Sequence, residues 1–320
     1  MRKTVLILFC LISVLGWSQE PERERTLIHI EHANQLQKKA GLDAVLLKGR
    51  VHLRHDSTHF YCDSAYYYEA KNSFDAFQNV HICVNDSIHM YSRTMIYDGN
   101  LRFAEFFDEV RMTDDSTLLE TEYMTYDRNQ HLACYPNYGV TTRGNKTLVS
   151  DKGFYRDDLK EFYVFQNVVA TSPKYQLFTD TLYYNTNIEK MWFLGPTTII
   201  NEDNTLKGTH GYYLTERDLA YLDEEPVMFN KTQTLTADSM LYDRQIGFAK
   251  GMNHIQMIDT SYKVILRGQY AEVWEKSGFS FATDSAHAVY YDDSDSLFIT
   301  SDTLFYQTMR PMSRFINKPY

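Results

Sequence analysis

The sequence predicts an all-β fold, a long antiparallel β-jellyroll: a bent, trough-like meander built from ~29-residue repeats. Three observations predict it. First, tyrosines recur at a fixed interval. Tyr67, Tyr97, Tyr126, Tyr155, Tyr184, Tyr213 and Tyr242 lie 30, 29, 29, 29, 29 and 29 residues apart, and a period in this range marks an array of equivalent supersecondary units. Second, short Asx- and Gly-rich segments punctuate each period on both sides. Asp98-Gly99-Asn100, Asp127-Arg128-Asn129 and Asn185-Thr186-Asn187 follow anchor tyrosines; Asn85-Asp86, Gly144-Asn145 and Asp203-Asn204 fall half a period away. Turns this short join antiparallel neighbours, because a parallel crossover needs a dozen residues or more. Third, the apolar pattern changes phase inside each copy. A residue seven before the anchor is apolar and one five before is small, whereas the anchor itself and the residue two before it have the other parity. Strict alternation would keep one parity, so a phase change beside a small residue predicts a bulge or corner.

Taken in order, residues 1–18 read as a secretory signal. Arg2 and Lys3 start it, Thr4 to Leu15 is an apolar run too short to span a membrane, and Gly16-Trp17-Ser18 supplies small residues at the cleavage site. Residues preceding Cys10 lack the small residues of a lipidation box. Residues 19–26 are a charged leader. From 27 to 306 the pattern is strand-like throughout, with two strands per period, and 307–320 form a tail. Each strand takes about 11 to 12 residues, or roughly 35 to 40 Å. Gln35 to Ala40 is the one brief helix candidate, and Ala33-Asn34-Gln35-Leu36 reads as a weak first copy. Beyond Tyr242 the copies end at Val273, Ala288 and Tyr306, which implies a spacing compressed to 15 and 18 residues.

Losing Arg2 and Lys3 takes the formal net charge from −10 to −12. That excludes a nucleic-acid partner, which needs a basic face. Aromatics are 15% of the chain, and 25 of them are tyrosines, residues that suit a pleated, half-buried surface. Cys62, Cys83 and Cys134 remain after cleavage, and an odd set without close pairing is not a disulfide framework. No nucleophile elbow, zinc-protease helix, phosphate loop or Cys-x-x-Cys is present, so no catalytic residue, metal or cofactor is expected. His29, His32, His52, His55 and His59 group loosely, but His52 and His55 fall on opposite faces of a strand. The acidic residue four before the anchor (Asp63, Glu122, Asp151, Asp180, Asp238) gives one carboxylate per copy where calcium wants six or more oxygens; a solvated or turn-capping acid is the expectation.

The recurrent small-Asp-x-Leu-x-Tyr motif, alternating with Gly-x-Val as in Gly49-Arg50-Val51 behind a signal, resembles the organic solvent tolerance protein A-like family. These are periplasmic lipopolysaccharide-transport bridge proteins of LptA type, and the likeness is to the long versions of Bacteroidetes-type bacteria. The resemblance covers about residues 27–306. It implies a jellyroll open along its length that shelters lipopolysaccharide acyl chains, with no catalytic residues, and that docks onto similar β-jellyroll domains of membrane transport partners or stacks head to tail.

Three function classes follow. A periplasmic lipid carrier or bridge fits best. Met90, Leu119, Leu148, Leu177, Leu206 and Leu235 sit at equivalent points of successive copies and would line an apolar furrow, with Thr121, Ser150, Thr179, Gly208 and Ala237 leaving room beside them. An outer-membrane β-barrel fits strand length and aromatic content, but Glu120, Glu122, Asp151, Lys152 and Lys207 put charge on both parities, which a lipid-facing band does not tolerate. A surface carbohydrate-active β-solenoid enzyme lacks its acid/base pair. The signal reading makes the first prediction: N-terminal sequencing of the exported protein finds a mature chain starting at or next to Gln19, and retention of residues 1–18 refutes it.

Overall fold

The structure, a computed structural model, describes residues 26–308 apart from 39, 40, 42, 115, 293 and 294. The expected signal, nearly all of the charged leader and the tail past 308 lie outside the described residues. Among the described residues twenty-four strands form a single sheet, and neighbours pair antiparallel. Val45–His55 pairs with Thr58–Tyr68, that strand with Ser73–Val84, that one with Ile88–Asp98, and the meander continues to Ser296–Gln307. Strands run from 10 residues (Gln176–Asn185) to 13 (Phe279–Tyr291), the length the period requires. Among the described residues five strands are split near their midpoints, for example Leu132–Tyr135 from Gly139–Arg143 and Leu219–Asp223 from Val227–Phe229. Pro136 and Pro226 fall in two of these breaks, where a missing N–H removes no ladder bond.

The predicted phase change is a corner, and its cause is visible in the register. In Thr58–Tyr68 the buried residues are Thr58, Phe60 and Cys62, then Ala65 and Tyr67. The neighbouring strand keeps one parity, burying Phe74, Ala76, Val80, Ile82 and Val84. Phe77 pairs with Thr94 and Val80 with Ser92, so Gln78 and Asn79 together oppose the single residue Arg93. This two-against-one bulge shifts the parity on one side only. Both inserted residues take left-handed φ, 63° and 50°. The same pair recurs as Gly49-Arg50, Asp108-Glu109, Gln166-Asn167, Glu224-Glu225, Asn253-His254 and Asp284-Ser285. Stored strain of about 1–3 kcal/mol per non-glycine left-handed residue has to be offset by what the corner allows.

What it allows is folding the sheet on itself. Phe60 pairs with Ile82, and Phe74 with Tyr67. Seven residues apart on a flat sheet, Phe60 and Phe74 would be separated by about 24 Å. Their ring centroids are 5.2 Å apart, and Phe60 to Tyr97 is 4.6 Å. Each strand therefore contributes to two arms: the first carries the apolar position seven before the anchor, the second carries the anchor tyrosine. The repeated acid clasps the corner. Asn79 Nδ2 donates to Asp63 at 2.8 Å, Asn167 Nδ2 to Asp151 at 2.6 Å, and the His254 ring meets Asp238 at 2.9 Å. Where the motif has Arg93 instead, the corner supplies Glu109, so the pair survives with charges exchanged. The small hydroxyl residue also works locally. Ser92 donates to the Thr94 carbonyl (2.9 Å) and Ser150 to that of Lys152 (3.0 Å).

Two expectations need correction. Gln35–Lys38 is a strand, paired with Val45–Lys48; Asn34 sits at its corner, with its N–H on the Gly49 carbonyl, so the weak first copy holds and the helix does not. The repeat is also not compressed. Ala288 lies in Phe279–Tyr291, a strand of the bulged kind whose left-handed pair is Asp284-Ser285. Motif strands end at Val273 and Tyr306, 31 and 33 residues after their predecessors, and Phe281, Thr283 and Asp284 mimic the motif only in spelling.

The corner yields a prediction. Asn167→Val puts a β-branched residue at φ 52° and lowers unfolding free energy by about 1–3 kcal/mol in urea titration. Asn167→Gly, which relieves the backbone while losing the Asp151 bond, costs less. Equal losses refute the assignment of strain to this position.

Candidate functional site

The equivalent apolar residues converge as the repeat implied. Met90, Leu119, Leu148, Leu177, Leu206 and Leu235 are 0–5% exposed and belong to one core cluster running the length of the described chain. Anchor tyrosines and the residues two before them (Met95, Met124, Leu182, Met240) approach from the second arm and are equally buried. Thr121, Ser150, Thr179 and Ala237 are buried too. Their space is occupied. Ser150 Oγ is 2.7 Å from the Tyr135 hydroxyl, and Thr179 Oγ1 is 2.8 Å from Thr197 Oγ1. Tyr135 is wedged at its corner so tightly that a Cβ on Gly153 would lie 2.3 Å from its hydroxyl. Apolar recesses beside Leu148 and Phe162 and beside Leu235 and Met257 measure about 20 and 10 Å³, each roughly the room of one water. The interior is packed.

Along the mouth, where the free tips of the two arms meet, the chemistry changes to polar. His55, at a first-arm tip, bonds the Tyr97 hydroxyl at 2.7 Å, and Arg128 donates to the same hydroxyl at 2.6 Å. Tyr155 donates to Asp114, which also receives Lys160 Nζ at 2.6 Å. Arg143 and Lys146 donate to Glu189 at 2.5 and 2.8 Å. Lys174 donates to Asp218 at 2.7 Å, beside Tyr213. Asn204 Nδ2 donates to Glu275 and to Tyr242 (2.7 and 2.9 Å), and Tyr306 to Asp259 at 3.0 Å. Most partners across the mouth are 38 to 47 residues apart, about a period and a half, and Asn204 and Glu275 are 71 apart, so each first-arm tip reaches the second-arm tip of a later repeat. The offset reflects the twist of the sheet. Repetition made the inner line legible from sequence; the seam was missed because its partners belong to different repeats and vary in type.

One end of the mouth is covered. Residues 26–28 cross it, with Ile28 buried, its N–H on Asn72 Oδ1 at 2.9 Å, and Thr26 Oγ1 on His55 Nε2 at 2.6 Å. Asn72 itself is fully buried.

Burial sets the titration of the seam. It pushes the Tyr97 hydroxyl up to about 12 and lowers the His55 imidazole. It also raises the carboxyls of Asp157 and Glu275. Burial acts the same way on Glu189, but hydrogen bonds from Lys146, Thr215 and Tyr184 outweigh it and hold that carboxyl at about 2.

Outside the arms, a solvent-open saddle of about 910 Å³ lies between His81, Tyr91, Arg93, Asp108 and Arg111. His52 and His59 pair on this outer face at 3.0 Å, away from buried His55. Among the described residues no group of three or more His, Cys, Asp or Glu side chains has the geometry to hold a metal. Cys62, Cys83 and Cys134 are free thiols.

A family model described as "OstA-like protein" matches residues 25–180 and 176–238. No curated protein sequence matches the chain. Among solved structures, the chain is similar to LptH of Pseudomonas aeruginosa, described as the LptA homologous periplasmic component of the lipopolysaccharide transport device, at 15% identity and a TM-score of 0.21, over 43% of this chain and 82% of that one.

Glu189 provides the prediction here. Its side chain is 15% exposed and holds two cations, so Glu189→Gln lowers stability by about 1.5–3 kcal/mol at neutral pH. A carboxyl whose folded pKa is depressed stabilises above its unfolded value and loses that contribution as pH falls through the folded one. The gap between wild type and variant, measured by urea unfolding, is therefore full above about pH 5 and closes towards about pH 2. A gap independent of pH refutes the charge-based account.

Proposed function

The chain belongs to the OstA-like protein family, and on that premise we propose that it is a periplasmic lipid carrier or bridge that moves lipopolysaccharide towards the outer membrane. The observation that carries this reading is the uninterrupted apolar interior. Equivalent Leu and Met side chains of successive repeats form one line, which offers dispersion and area burial along a path rather than a single directional pocket. A site for one small ligand would need neither the length nor the repetition. The acyl chains are taken to run along Met90, Leu119, Leu148, Leu177, Leu206 and Leu235, with Thr121, Ser150 and Thr179 at the corner beside them. The lipopolysaccharide transport role of LptH supplies the suggestion of cargo, not the argument. Similar β-jellyroll domains of membrane partners are the proposed docking partners, through the edges of the sheet. At one of those edges Phe298 and Phe305 are 72% and 71% exposed, and an unpaired apolar strand is a template for another chain.

Other readings have less support. A membrane barrel needs a continuous apolar outer band, whereas the outward positions here carry Glu105, Glu120, Lys152 and Lys207. Its first and last strands must also join, whereas Ser296–Gln307 pairs with Phe279–Tyr291 alone among the described residues. For enzyme chemistry, the buried carboxylates are engaged in the seam.

The test is a photoreactive leucine at Leu177, whose shape is kept because the site is fully buried. Protein made in its own periplasm and irradiated yields lipid adducts at this position. Adducts with protein alone overturn the carrier reading and leave a closed structural sandwich.

A further inference from the structure

We propose that the polar seam is a lateral gate, and that lipid is admitted by the two arms parting along it. This rests on the carrier reading and adds how the cargo gets in. The packed interior makes the inference necessary. Recesses of about 20 and 10 Å³ hold a water each, not an acyl chain, and Leu177 is fully buried within the apolar cluster. Tails cannot thread such a core from an end. At one end, moreover, residues 26–28 lie across the mouth with Ile28 buried beneath.

The connections show which side moves. At the corner the arms are joined by covalent chain in every strand. At the mouth they are joined by bonds that each use at least one side chain: His55 with Tyr97 and Arg128, Tyr155 and Lys160 with Asp114, Arg143 and Lys146 with Glu189, Lys174 with Asp218, Asn204 with Glu275. No strand pairing is lost when these break, so the sheet persists while the mouth opens. The freed groups stay at the rim, where water reaches them. Opening also separates Arg128, Lys160, Arg143 and Lys146 from the carboxylates that neutralise them. A row of cations above an apolar slot matches an acyl lipid with an anionic, phosphate-bearing head.

The experiment locks the gate. Lys146→Cys and Glu189→Cys are introduced with Cys83→Ser and Cys134→Ser, and the new thiols are bridged by a short, reducible bifunctional reagent. Uptake of a pyrene-labelled phosphatidic acid from vesicles is followed for the bridged, unbridged and wild-type proteins. Circular dichroism confirms that each retains its β structure. The unbridged variant, lacking one station of the seam, loads faster than wild type. Bridging slows loading by at least about tenfold, and reduction restores it. Bridged and unbridged proteins loading at one rate overturns the gate while leaving the carrier intact. If neither wild type nor unbridged variant takes up the probe, the carrier reading fails and the gate with it.

Discussion

The left-handed residue pair that recurs at the corners is the constraint on which the molecule depends. Without the extra residue, strands of 10 to 13 residues would make a flat sheet with one apolar face exposed along its whole length. With it, the side-chain parity of alternate strands flips, the two halves of every strand turn the same face inward, and that face meets itself. The strain is repeated at seven corners among the described residues, and at five of them a side chain bonds across the bulge. The repeated acid takes a hydrogen bond or an ion pair from the bulge, and the small hydroxyl residue ties its own strand. The pair Arg93 and Glu109 shows that the corner needs an interaction across it more than a particular charge.

From the corner follow two unlike contacts between the arms. The inner contact is apolar and continuous. Fully burying one Leu or Met stabilises by about 1.5–3 kcal/mol, and each period buries several. The outer contact is polar and discontinuous, each neutral bond worth about 0.5–1.5 kcal/mol net and each charged one somewhat more. The core therefore holds the arms together and the seam sets their register: Asp114 can satisfy Tyr155 and Lys160 only if the tips are offset by a period and a half. Buried tyrosine hydroxyls such as that of Tyr97 need a partner, and the tips supply it.

The legible part of this structure was the part that repeats. Anchor spacing gave the strand count per period, turn chemistry gave antiparallel order, and the parity switch gave the corner, because each signal lies within one period and recurs. The inner line of Leu119, Leu148, Leu177, Leu206 and Leu235 was legible for the same reason. Sequence reasoning failed where a match was isolated: Phe281-x-Thr283-Asp284 has the letters of the motif on a strand of the other kind, and the helix candidate at Gln35 to Ala40 has helical composition, but its described part, Gln35–Lys38, has a strand to pair with. It could not see that the small positions are filled by their own hydrogen bonds, or that Glu189 gathers Arg143 and Lys146 from 46 and 43 residues away. Those pairings depend on twist, which no spacing within a repeat encodes.

Repetition also governs how such a body can open. Each hairpin touches its sheet neighbours and, through the seam, the tip of a later repeat, so stability is close to a sum of local terms and short-range interfaces. One stretch of mouth can part while stretches on either side stay closed. In water that parting is opposed by the side-chain bonds of the seam and by the apolar faces it exposes. An acyl chain removes the opposition, because its methylenes replace the apolar contacts the arms lose. By the rule that a ligand shifts an equilibrium only by its differential affinity for the two states, the open state is favoured where lipid is present and unfavourable where it is not. The packed interior and the carrier role are then compatible: a slot that stays shut when empty exposes no continuous apolar groove to other proteins.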